Sequence, residues 1–131
     1  MTKADHTLLA IDTVVNPHTS EIVEMRPDWS GRFHKGKFGR DDSVMQGYSY
    51  EEMLRQMDLA RIEKAFLVAN KTGQLGLQGS WHLPYEIVAK AIQQFPDRFY
   101  GLAGLDPTEG MAGLYALTEA VKRYGFIGAH G

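Results

Sequence analysis

The chain has 131 residues, of which 44% are hydrophobic and 23% charged, a composition typical of a single soluble globular domain. The net charge is −2 with both signs scattered, so we expect no nucleic-acid and no membrane partner. There are no cysteines, which excludes disulfides and thiolate chemistry and fits a cytoplasmic location. No apolar run is long enough for a signal peptide or a membrane span.

The first element along the chain is an aliphatic run at 7–15, which predicts a parallel strand buried on both faces. Residues 17–48 are rich in proline and glycine and predict a long irregular loop. Its basic residues either attract an anionic substrate or form an ordinary solvated surface. They are Arg32, Lys35, Lys37 and Arg40.

Beyond the loop, strands and helices alternate. Ser49 and Glu52 form a capping-box pattern that predicts a helix to about Arg61. Strands are predicted at 64–69, 98–105 and 126–130, with a glycine-rich loop at 70–83. Two further helices follow, one starting at Pro84 and one marked by Met111, Leu114, Leu117, Val121 and Tyr124 and closed by Gly125.

This alternation predicts an α/β fold with a parallel sheet. Four βα units correspond to the first half of a TIM-type (β/α)8 barrel, and we treat 1–131 as one domain. Half a barrel leaves two hydrophobic sheet edges open. We therefore expect a homo-oligomer or part of a longer chain, rather than a soluble monomer.

Sites in parallel α/β proteins lie beyond the carboxyl ends of the strands. The predicted catalytic residues there are His130 and Asp106, each with a bland alternative as a core histidine or a turn residue. The predicted substrate-binding residues are Asn16, His18, Lys71 and His82, which as loop or surface side chains would have no such role. Trp81 either contacts substrate or packs its loop, and His6 and His34 are expected to be exposed.

Several phrases of this sequence resemble the amidohydrolase superfamily, in its aminocarboxymuconate-semialdehyde-decarboxylase-like branch. They span nearly the whole chain but correspond to only the N-terminal half of such barrels. The phrases are Ala10-Ile11-Asp12, Glu51 to Leu54, Ile62 to Ala65, Phe95-Pro96-Asp97-Arg98-Phe99 before Gly101-Leu102-Ala103, and Gly125-Phe126-Ile127-Gly128.

The resemblance implies a hydrolase or a carbon–carbon lyase, of decarboxylase or hydratase type, acting on a small carboxylated substrate. Family members usually hold a divalent metal such as zinc through a His-x-His pair just after an aspartate. Counted from Asp12, those positions hold Val14 and Asn16, so we predict no metal site and no evident cofactor in this segment. Catalysis then falls to acid–base work by His130 or Asp106, with Lys71 holding the anion. The alternative is a non-catalytic, metal-free relative that binds a small ligand or a partner.

Overall fold

The computed structural model describes residues 8–39 and 46–131. The strands are β1 Ala10–Val15, β2 Ile62–Ala69, β3 Lys71–Thr72, β4 Trp81–His82, β5 Phe99–Gly104 and β6 Gly128–His130. Four of them form one parallel sheet in the order β1-β2-β5-β6, and β3 and β4 form a two-stranded antiparallel hairpin beyond it. The helices are α1 Ser20–Met25, α2 Asp28–Phe38, α3 Tyr50–Leu59, α4 Tyr85–Gln94 and α5 Met111–Tyr124, with a 3-10 turn at Pro107–Glu109.

The hydrophobic core lies between one face of the sheet and the helices. Ala65, Leu67 and Ala69 of β2 lie on this face and are fully buried, as is Val68 on the opposite face. Phe99 and Phe126 are among the largest buried side chains of this layer. The predicted first half of a TIM-type barrel is therefore confirmed as a parallel α/β half-barrel.

Strand β1 is not buried on both faces as predicted. Ile11 is 49% and Val14 50% exposed, and β1 pairs with β2 alone among the described residues, with two register irregularities. The apolar run is real, but one edge of the strand has no neighbour in this part of the chain. β1 is thus an open edge with apolar side chains, a feature that favours pairing with further protein.

The segment at 17–48 is not an irregular loop throughout, because its described part contains α1 and α2. Thr19 caps α1 by accepting a hydrogen bond from the Ile22 amide at 3.3 Å. Gly39 ends α2 in the left-handed conformation, which is the usual role of glycine at that position. Pro27, which looked like a loop signal, lies directly before α2 and leaves both helices intact.

The other boundaries agree with the sequence to within one or two residues. Ser49 Oγ accepts from the Glu52 amide at 3.1 Å, but the other half of the capping box is wrong. The Glu52 carboxylate instead binds Arg55 and Gln56. Pro84 precedes α4 rather than opening it, and Gly125 ends α5 as predicted. No helix in the described residues is long and apolar enough to cross a membrane.

Candidate functional site

A cavity of about 470 Å³ opens beyond the carboxyl ends of β1 and β2. Asn16 and His18, which follow β1, form one wall, and Val68 and Asn70 at the end of β2 form another. Arg26, which caps the end of α1, helix α2 and the hairpin complete it. The remaining lining side chains are largely aromatic or cationic: Arg26, Trp29, Phe33, His34, Tyr48 and Trp81, with Pro17, Ser30, Thr72 and Leu83.

Arg26, at the end of α1, gives the cavity a positive charge beside aromatic rings. Its guanidinium carbon lies 4.9 Å from the centre of the Trp81 ring, a cation–π distance. Burial raises the pKa of the Tyr48 hydroxyl, and the positive charge of Arg26 partly opposes that rise. Tyr48 therefore remains a neutral hydrogen-bonding group near a fixed cation.

Gly47 allows the far wall of the cavity to close. It has a φ of +82°, and a Cβ there would lie 2.7 Å from the Ser20 nitrogen and 2.9 Å from the His18 oxygen. The next amide, of Tyr48, donates to the His18 carbonyl at 3.0 Å. This close approach sets the Tyr48 ring 5.9 Å from the His18 ring.

Among the predicted site residues, Asn16 and His18 line this cavity, whereas Lys71, His82 and Asp106 gather in a separate polar cluster. In the cluster, Lys71 Nζ lies 2.5 Å from Glu109 Oε1. The Lys71 side chain is 10% exposed and that of Glu109 33%. Burial lowers the pKa of Lys71, but the hydrogen bond and charge of Glu109 help to outweigh it, and the net change is upward. Lys71 is thus a permanently charged ammonium with its own counter-ion.

Asp106 is held in place by the turn that follows β5. Its Oδ1 accepts from the Thr108 hydroxyl at 2.6 Å and from the Thr108 amide at 2.9 Å. These two bonds lower the pKa of the carboxyl, helped by the charges of His82 and Lys71 and opposed by burial. The other oxygen, Oδ2, lies 3.7 Å from His82 Nε2.

His82 Nε2 also lies 2.7 Å from the Gly73 carbonyl oxygen. A carbonyl oxygen only accepts, so Nε2 carries the hydrogen. The pairing closes the base of the loop 73–80. Nearby, the Tyr85 hydroxyl donates to the Gly104 carbonyl at 2.6 Å, and burial raises the pKa of that tyrosine.

His130 ends β6, opposite Gly104 in the register. Its carbonyl accepts from the Leu105 amide at 3.0 Å. Within residues 8–39 and 46–131, the His130 imidazole forms no hydrogen bond or ion pair. Gly104 packs directly against the turn at Asn70, which lines the cavity. Two strand spacings of about 4.8 Å therefore separate His130 from the cavity wall.

The residues present do not fit a divalent metal in the pattern that the resemblance implies. Val14 cannot ligate a metal, and Asn16 supplies a neutral amide. The described residues contain one other group with ligand atoms close together, His82, Asp106 and Glu109, within 4.8 Å of one another. In that group the Glu109 carboxylate already binds the Lys71 ammonium, and His82 Nε2 donates to a backbone carbonyl.

Sequence reasoning missed the contribution of α1 and α2 to the cavity. His34, expected to be exposed, is half-buried and lines it, while His6 lies outside the described residues. Of the basic residues predicted in the loop, Arg32, Lys35 and Lys37 belong to α2, and Arg40 lies outside the described residues. The helical spacing of Trp29 and Phe33 was the available signal, but the surrounding proline and glycines obscured it.

The architecture and the position of the cavity place this chain among α/β partial barrels whose candidate site lies at the carboxyl ends of the strands. No protein-family model and no curated protein matches the sequence. Solved structures do match, and they include decarboxylases. The predicted resemblance is therefore confirmed for the fold.

One similar structure is 5-carboxyvanillate decarboxylase from Novosphingobium aromaticivorans, solved with manganese and a nitrobenzoic acid (20% identity, TM-score 0.67, 98% of this chain, 43% of that one). A second is 2,6-dihydroxybenzoate decarboxylase from Rhizobium (18%, 0.58, 94% and 38%). A third is an uncharacterised TIM-barrel protein from Bordetella bronchiseptica (23%, 0.56, 91% and 42%). The chain thus spans about two fifths of the length of these structures.

Proposed function

We propose that the cavity binds a small aromatic carboxylate, and that the chain carries the substrate-binding part of a lyase of decarboxylase or hydratase type. The observation that carries this proposal is the combination of the Arg26 guanidinium with the aromatic rings of Trp29, Phe33, Tyr48 and Trp81 around one cavity. A guanidinium pairs well with a carboxylate, and the rings supply flat apolar surface for an aromatic ligand. The decarboxylases of similar fold, named for aromatic acids, support the same class of ligand.

The decarboxylation that we propose requires a proton donor rather than a protein nucleophile. In decarboxylation, the bond between the ring carbon and the carboxylate breaks, its electron pair stays on carbon, and that carbon takes a proton as carbon dioxide leaves. A histidine suits the donor role because its pKa is near neutrality. We assign substrate binding to Asn16 and His18, which line the cavity. We keep His130 as the proposed proton donor, a role that requires its imidazole to span the two strand spacings between β6 and the cavity wall. Asp106 is the weaker acid–base candidate, since its lowered pKa keeps it ionised.

The structures of similar fold include manganese-bound decarboxylases, but the donor set of this segment does not fit such an ion, and no step is assigned to one. We place the activity in the cytoplasm. The open edge at β1 is proposed to be covered by a second copy or by further chain.

Intrinsic fluorescence tests the binding proposal directly, because both tryptophans of the chain line the cavity. Titration with 2,6-dihydroxybenzoate is expected to quench the emission, whereas cyclohexanecarboxylate, which has no aromatic ring, should bind more weakly. Arg26→Met is expected to weaken binding at least tenfold. The matched control is Arg55→Met, which removes a guanidinium on the exposed face of α3. Equal affinity in both variants would contradict the assignment of Arg26.

The second candidate function is a non-catalytic binding protein, which is favoured by the presence of Val14 at the strand-one ligand position. A turnover assay distinguishes this candidate from the enzyme. Release of carbon dioxide is followed with and without added Mn²⁺, for the unaltered protein and for His130→Gln. The enzyme proposal expects release that His130→Gln abolishes while quenching by the ligand persists. Quenching with no release under either condition would support the binding protein instead.

A further inference from the structure

The hairpin β3-β4 presents two faces with different chemistry. Lys71 pairs with His82 and Thr72 with Trp81 in its antiparallel register, so each pair lies on one face. Thr72 and Trp81 line the cavity, and Trp81 is 9% exposed. Lys71 and His82 point the other way, toward Asp106 and Glu109. The indole in the cavity and the polar cluster are therefore opposite sides of one small element.

The polar face contacts the turn after β5 at two points, through one hydrogen-bonded ion pair and one longer approach. Lys71 bonds Glu109 across 38 residues of sequence, and His82 approaches Asp106 to 3.7 Å. That turn is itself fixed, because Asp106 accepts two hydrogen bonds from Thr108. Within the hairpin itself, the Leu83 amide donates to the Asn70 carbonyl at 2.8 Å and joins the two strands at their base.

We infer that Lys71, His82, Asp106 and Glu109 are positioning residues, whose contacts hold Trp81 against Arg26 and so set the affinity of the cavity for its ligand. This inference rests on the proposed function only for the identity of that ligand. Removing either contact releases one strand of the hairpin. Each strand is only two residues long, and such short hairpins have little stability of their own. The indole then loses its fixed place beside the guanidinium. None of the four side chains lines the cavity.

The spectroscopic test isolates Trp81 by replacing the other tryptophan with phenylalanine, Trp29→Phe. In this background, acrylamide quenching measures how well the Trp81 indole is shielded, without any ligand present. Lys71→Met and Asp106→Asn are each expected to increase the quenching constant at least twofold and to weaken 2,6-dihydroxybenzoate binding at least fivefold. Lys71→Arg keeps the positive charge, so its quenching constant and its affinity for 2,6-dihydroxybenzoate are expected to stay close to those of the Trp29→Phe protein.

Two controls separate positioning from general loss of stability. Arg55→Met breaks an exposed ion pair on α3 and should leave Trp81 quenching unchanged. Ser49→Ala weakens the cap of α3 and lowers the melting temperature without exposing Trp81. Unchanged Trp81 quenching in both Lys71→Met and Asp106→Asn would overturn the inference. A different result would separate the two proposals: the unaltered protein binds no aromatic carboxylate, but Lys71→Met and Asp106→Asn still increase acrylamide quenching of Trp81. In that case the proposed function fails and the positioning role stands.

Discussion

The Lys71 ammonium and a Glu109 carboxylate oxygen lie 2.5 Å apart, joining the first residue of the hairpin to the last residue of the turn after β5. Both partners are at least partly withdrawn from water. A pair in this setting is costly to break on one side only, because the remaining charge keeps its burial and loses its partner.

Lys71→Met is therefore expected to lower the free energy of unfolding by about 1–3 kcal/mol. The double variant Lys71→Met/Glu109→Gln should lose less than the sum of the two single variants, with a coupling of about 0.5–3 kcal/mol. Urea unfolding of the four proteins gives this coupling. Strict additivity would mean that the pair adds nothing.

Gly47→Ala is expected to disturb the cavity through the backbone. The new methyl group would meet the backbone of Thr19 and Ser20 at 2.7 Å, at a φ that L residues rarely adopt. The cost should be about 2 kcal/mol or more, with weaker ligand quenching because Tyr48 moves away from His18. The matched control is Gly36→Ala in α2, where no atom lies within 4 Å and where alanine should stabilise by about 0.5–1 kcal/mol. Equal effects from the two changes would refute this account.

Ser49→Ala removes the side-chain acceptor for the Glu52 amide at the start of α3. The expected loss is about 1 kcal/mol of unfolding free energy.

Glu52→Gln addresses a different interaction, because hydrogen bonds from Arg55 and Gln56 hold the pKa of Glu52 at about 2. That exposed carboxylate contributes little stability, and the contribution is lost progressively as the pH falls from the ordinary carboxyl pKa to about 2. Thermal melts at pH 7 should show the larger shift for Ser49→Ala.

Asp106 should link stability to acid pH. Its folded-state pKa is lowered, first by the Thr108 hydroxyl and then by the Thr108 amide. A lowered carboxyl pKa contributes stability above the unfolded value, near 3.9, and the contribution disappears as pH falls through the folded value. Unfolding free energies measured from about pH 5 down to about pH 2, the range over which a carboxyl with a lowered pKa takes up its proton, should decline less steeply in Asp106→Asn. Parallel curves would show that another carboxylate dominates the acid limb.

The exposed edge of β1 is expected to drive association. Val14→Lys places a charge on the open strand, a substitution that discourages edge-to-edge pairing. Light scattering after size exclusion should show a smaller species for this variant than for the unaltered protein. Leu77→Lys is the control, since Leu77 is exposed in the loop 73–80, outside the parallel sheet. An unaltered protein that is monomeric at micromolar concentration would contradict the expectation.

The sheet was predictable because β2 and β5 are apolar runs between clear turn signals. The end of α5 was predictable because Gly125 supplies the left-handed cap. The exposure of β1 was not predictable, since an apolar sequence is the same whether or not a neighbouring element covers the strand. The cavity was half predictable. Asn16 and His18 follow directly from the strand end, but Arg26 and Trp29 come from helices hidden among proline and glycine. The split between the two groups of site residues depends on the hairpin register, which nothing local in the sequence specifies.

The hairpin limits where this chain tolerates changes in length. Side chains along its two strands alternate between cavity and polar cluster, so one residue inserted between Asn70 and Lys71 would exchange the two faces of β3. An insertion within 74–79 changes the exposed connecting loop and leaves the contacts of Lys71 and His82 with the turn after β5 in place. Variation in this loop can therefore accumulate between the two strands, whereas the short joints that connect the hairpin to β2 and α4 must keep their length.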